Sequence, residues 1–100
     1  MLDLTPTGLR LHTSATLVNC ADLLRKGQEL WAQLPKSGPI IIEFDSIARL
    51  DSSLLALLLN WQERAQAESR QLELRNAPAN LQHLASLYGV DNWIHGLTTS

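Results

Sequence analysis

Three isoleucines in succession, Ile40-Ile41-Ile42, between Pro39 and the pair Glu43-Phe44, constrain the fold of this chain more than any other feature. Two heavy atoms on Cβ restrict χ1 and favour extended backbone, so PIIIEF reads as a strand. The run lacks the in-and-out alternation of a half-solvated strand. It predicts a strand covered on both faces, as at the centre of a parallel sheet. Parallel neighbours cannot be joined by tight hairpins, so helical crossovers must flank it.

The flanks supply them. Leu9 and Leu11 alternate with Arg10 and His12 after a turn at Pro6-Thr7-Gly8, which predicts a half-buried strand that Met1 to Leu4 can pair with. From Asn19, an expected N-cap, Cys20, Leu23, Leu24, Leu30, Trp31 and Leu34 recur at helical steps, with Gly27 set to let this helix approach the sheet. A second helix is expected over 51–69. QLELR then alternates, turning Leu72 and Leu74 inward. Pro78 opens a last helix with Leu81, Leu84, Leu87 and Tyr88 as its buried stripe and Gly89 as its stop. Val90, Trp93 and Ile94 should fold back onto the body. The order β, β, α, β, α, β, α over 1–100 predicts one α/β domain, a mixed, mostly parallel sheet of four to five strands with helices packed on it.

Composition excludes several function classes. With 100 residues, 45% hydrophobic and 18% charged, the chain can bury a core without disulfide or metal. A net charge of −2 offers no footprint for nucleic acid or an anionic membrane. Cys20 is the only cysteine, so no internal disulfide forms. The N-terminal MLDLTPTG has no secretory-signal pattern, and Leu54 to Leu59 is too short a run to span a bilayer. No glycine falls in a phosphate-loop frame, and His12, His83 and His95 lack zinc-ligand spacing. No serine sits in a nucleophile elbow. Asp45 and Asp51 flank a loop where capping explains them better than acid–base work. The expectation is a protein without catalytic residues, metal or cofactor.

The stretch LDSSLLALLL carries more leucine than one buried face needs. With Leu54 at zero on a helical wheel, Leu57, Leu58, Trp61 and Ala65 cluster within about 60° and form the core contact. Leu55 and Leu59 fall at about 100° and 140°, among Ser52, Gln62, Glu63 and Gln66. Two readings stand here: a docking surface for another protein, or a strip covered by the chain's own tail, Trp93 and Ile94. Ser52 and Ser53 likewise have two readings, as helix caps or as phosphoacceptors whose added charge would change which partner docks.

The strand–DSSLLALLL–helix unit resembles the signature of STAS domains: a buried strand, a loop ending in aspartate, Ser or Thr, and a leucine-rich helix. Within that family it is similar to the small stand-alone subunits of the bacterial Mla phospholipid-transport ABC system, which carry LALLL here and L-A-x-L-Y in the last helix, as Leu84-Ala85-Ser86-Leu87-Tyr88. The resemblance implies a non-catalytic cytoplasmic subunit, peripheral to the inner membrane through its complex. It would bind the transporter's ATPase within a larger complex that includes a permease, without inserting in the membrane. Carried over by position, Ser52, Leu55, Ala56 and Leu59 face that ATPase, with Gln62 and Glu63 beside them. The other branch of the family implies an anti-sigma-factor antagonist switched by phosphorylation at Ser52 or Ser53. Leu54 stands where many relatives have glycine, which implies a covered, less accessible serine.

Overall fold

The computed structural model describes residues 2–98. Strands β1 (Leu2–Leu4) and β2 (Gly8–Leu11) precede helix α1 (Cys20–Trp31), then come β3 (Ile40–Phe44), α2 (Ser52–Ala67), β4 (Leu72–Arg75), α3 (Ala79–Leu87) and α4 (Asp91–Leu97). The sheet order is β1-β2-β3-β4, with β1 antiparallel to β2 and the other pairs parallel. This is the mixed, mostly parallel sheet expected, with one further parallel bridge from Leu74 to Thr98 along β4. α1 packs on β1, β2 and α2, while α4 packs on β4 and α3.

The triple isoleucine does form an inner strand, but the sheet is not apolar on both faces. Leu9, Leu11, Ile40, Ile42, Phe44, Leu72 and Leu74 join the helices in one core cluster. On the opposite face Asp3, Arg10, Glu43 and Arg75 stand side by side in register across all four strands. Ile41 is buried there, outside that cluster, with Gly8 and Glu73 as its neighbours in register. β3 alone is apolar on both sides; its neighbours place charges opposite Glu43.

Several helix details differ from expectation. Gly27 meets Trp61 of α2 rather than the sheet: a Cβ at Gly27 would lie 2.9 Å from the indole Nε1. The buried stripe of α3 is Leu81 and Ala85 with half-buried Leu84, whereas Leu87 and Tyr88 are 82% and 60% exposed. Leu87 lies about 120° from Leu81 on the wheel, off the packed face. Tyr88 falls outside because the helix ends there, at the left-handed Gly89 with φ 71°. The tail folds back as α4, burying Ile94 and Leu97 and half-burying Val90 and Trp93.

One buried cation ties the far end of α2 to the loop before β3. Arg70 donates from Nε to the Gly38 carbonyl at 2.7 Å, from Nη2 to Ser37 at 3.2 Å and from Nη1 to Glu68 at 3.2 Å. Glu68 also accepts from Trp31 Nε1 at 3.0 Å and Arg64 Nε at 3.3 Å. Burial would raise the Glu68 carboxyl, but hydrogen bonds from Arg70, Trp31 and Arg64 hold it below the ordinary range. This network holds the Arg70 guanidinium inside the fold.

Candidate partner-docking site

Two loops zip together at the head of α2. Ala15 N–H donates to the Arg49 carbonyl at 3.0 Å, and Asp51 N–H donates to the Ala15 carbonyl at 3.2 Å. Between them Ala15 and Leu50 form a parallel bridge. Arg49 N–H adds a bond to Ser14 Oγ at 3.2 Å. The loop after β2 is thereby fastened to the loop after β3, 35 residues away in sequence.

Asp51 closes the seam. It is the N-cap of α2, extended at φ −141°, and its Oδ1 accepts from Ser53 N–H at 2.8 Å. Its Oδ2 accepts from Leu17 N–H at 3.0 Å. The bond from Leu17, then those from Ser53, hold the carboxyl below its ordinary value against a smaller effect of burial. Of the two capping expectations, the one for Asp51 is met, and the serines are relieved of that role. Capping is favourable there because the carboxylate meets free N–H groups and the positive end of the helix dipole.

The serines separate in consequence. Ser53 is half-buried on the α1 side, where its carbonyl accepts from Cys20 Sγ at 3.7 Å. Ser52 is exposed and makes no side-chain hydrogen bond among the described residues. Leu54 is fully buried on the opposite side of the helix, so it does not cover the Ser52 hydroxyl as its place in the motif implied.

Of the residues expected to face a partner, Ser52, Ala56, Leu59 and Glu63 lie in one exposed line along α2. Leu59 is 48% exposed. Leu55 is not part of this line: it is only 8% exposed and belongs to the core cluster. Gln62 is half-buried on the same side as Leu55, and with Gln66, Gly96 and Leu97 it lines a groove of about 410 Å³ between α2 and α4. Leu55 therefore belongs to the core rather than to this line, whereas Leu59 stays exposed on it.

Sequence reasoning missed Leu17 and Val18, which are 80% and 94% exposed next to Asp51. Their only signal was an apolar pair in TSATLVN, between the end of one alternating segment and the start of the helical period. No group of three or more His, Cys, Asp or Glu able to hold a metal exists among the described residues. No described helix is long and apolar enough to cross a membrane.

These features define a small α/β module that presents the head of a helix between two zipped loops. A family model described as "Mlab, STAS domain" matches residues 2–99, and the chain belongs to the STAS-domain family. STAS domains are generally non-catalytic. A search among curated proteins returned no significant match.

Proposed function

We propose that the chain is a docking subunit. In this reading it binds and supports the ATPase of an inner-membrane phospholipid-transport ABC complex that maintains outer-membrane lipid asymmetry. It sits on the cytoplasmic side and is held there by its complex. The observation that carries the reading is the line Ser52-Ala56-Leu59-Glu63, in which a half-exposed leucine lies on a helix whose other faces are already packed. An apolar centre with a polar rim is the anatomy of a protein interface. The description of the matching family, "Mlab, STAS domain", is compatible with this assignment.

Leu59→Asp is expected to weaken copurification with the ATPase of the Mla-type complex at least about tenfold, because a charge would be desolvated in the interface. Helix content by circular dichroism should stay that of the wild type, since Leu59 lies outside the core cluster. A folded Leu59→Asp chain that binds normally removes this face from the assignment.

A second reading has its own observation: the Ser52 hydroxyl is exposed and free of capping duty. In that reading the chain is an anti-sigma-factor antagonist, and phosphate on Ser52 decides partner binding. Phosphate would add about −1.5 to −2 charge at the head of α2, with Ser53 the less accessible acceptor. Intact mass before and after phosphatase is then expected to differ by one phosphate in cell-derived protein, and Ser52→Glu to change partner binding. An unmodified mass together with wild-type binding by Ser52→Glu removes the switch.

A further inference from the structure

Single exposed apolar side chains are common on protein surfaces, so exposure alone says little about Leu17 and Val18. What distinguishes them is how firmly their backbone is held. Thr16 N–H donates to Asn19 Oδ1 at 2.9 Å, Leu17 N–H to Asp51 Oδ2 at 3.0 Å and Val18 N–H to Thr16 Oγ1 at 3.3 Å. Asn19 N–H donates to the Thr16 carbonyl at 3.1 Å. Every amide from Thr16 to Asn19 is thus satisfied within a tight knuckle that points its two largest apolar side chains at solvent. A surface already ordered in this way loses little conformational entropy when a partner covers it.

The knuckle is continuous with the α2 line. Asp51 bonds to it directly, Ser52 follows, and Glu63 lies eleven residues on, about 16 Å along the helix at 1.5 Å per residue. The strip therefore runs from an apolar knuckle through Ala56 and Leu59 to an exposed carboxylate. Glu63 has no ion-pair partner among the described residues. With the chain's net charge at −2 and the strip ending on exposed Glu63, it is a poor match for an anionic lipid surface. It complements a protein surface with an apolar socket and a basic side chain placed for Glu63.

We propose that Leu17 and Val18 form a second element of the partner face, that Asp51 positions it, and that the occupant is a protein with an apolar socket bordered by a cation. This rests on the docking reading given above. Asp51 is a positioning residue: one oxygen starts α2 while the other fixes the knuckle at a set distance from Leu59. A carboxylate suits both tasks because each oxygen accepts from a different loop. Asparagine can keep only one of them, since its amide nitrogen cannot accept from an N–H.

The test measures affinity for the purified ATPase subunit of the Mla-type complex, using the whole chain. A Leu17→Ser/Val18→Ser chain is expected to bind at least about tenfold more weakly with unchanged thermal stability. Asp51→Asn should weaken binding similarly and speed hydrogen exchange at the Leu17 amide, while Ser53 remains protected. That pattern separates positioning from loss of the helix. If Asp51→Asn fails to fold, the double serine variant decides, because both of its side chains lie in solvent. If Leu59→Asp loses binding while the double serine variant binds as wild type, this inference fails and the docking reading stands. If the wild-type chain does not bind the ATPase, the docking reading itself fails. Self-association of the chain, or binding to phosphatidylglycerol vesicles, that is lost in the double serine variant assigns the knuckle to another occupant and overturns the proposal.

Discussion

A Gly8→Val chain is expected to lose at least about 4 kcal/mol of stability, a large share of the about 5–15 kcal/mol that a domain of this size possesses. Urea unfolding followed by circular dichroism would measure it. β2 is an inner strand, paired with β1 on one side and β3 on the other. A Cβ at Gly8 would fall inside the van der Waals envelope of the Ile41 carbonyl oxygen and lie 2.7 Å from the Ile41 backbone nitrogen. These are backbone atoms of a neighbouring strand, so no rotamer change relieves the overlap; the ladder itself must move. Alanine should fail for the same reason, since the clash is at Cβ. Gly96→Ala is the control. A Cβ there meets nothing within 4 Å, and the position is inside α4. Because Gly96 lies in the last turn of this short helix, alanine is expected to gain at most about 0.5–1 kcal/mol, the helix-interior difference over glycine.

Trp61→Ala is expected to cost about 3–5 kcal/mol, the range for emptying the site of a large buried aromatic. Trp61 is among the largest fully buried side chains and fills the crossing of α1 and α2. Trp61→Phe should cost much less. The indole Nε1 is buried with no hydrogen-bond partner among the described residues, so phenylalanine removes an unsatisfied donor along with the volume. The same contact makes Gly27 specific. Gly27→Ala would press a methyl to 2.9 Å from Nε1 in the wild type and find more room in Trp61→Phe. A double-mutant cycle should therefore show a coupling of at least about 0.5 kcal/mol. Additive effects would mean that α1 and α2 adjust their separation freely. Loss of partner binding in Trp61→Ala would report a misplaced α2, whereas Leu59→Asp probes the surface alone.

The parts of the fold legible in sequence were those whose pattern repeats. Leu72/Leu74 and the Leu54-Leu57-Leu58-Trp61 stripe each carry a period that backbone geometry dictates and pack where expected, as do Ile40 and Ile42, whereas Ile41 lies on the face that carries charges. The parts that were not legible depend on distant partners. Leu55 looked surplus on an isolated helix, and only the assembled fold draws it into the core cluster. The Asp51 clasp reaches 34 residues back to Leu17, a pairing no local rule supplies. Tyr88 matched the helical period and was lost to it when Gly89 ended the helix. The candidate site was half visible: the wheel supplied Ser52, Leu59 and Glu63 and the resemblance Ala56, whereas the knuckle beside them came from two loops meeting.

The charged face of the sheet also bears on how the strands find their alignment. A slip of one residue between β3 and β4 would turn charges into the core and is strongly opposed. A slip of two residues keeps apolar facing apolar, so burial alone discriminates weakly against it. In the native alignment Glu43 stands beside Arg75 and Ile41 beside Glu73. The Arg75 guanidinium pairs with Glu73 at 3.3 Å; shifted by two, Glu43 would stand beside that carboxylate, a like-charge contact that costs about 0.2–1 kcal/mol. The face that contributes least to the core thus acts as a proofreading edge for the parallel pair that forms last in sequence.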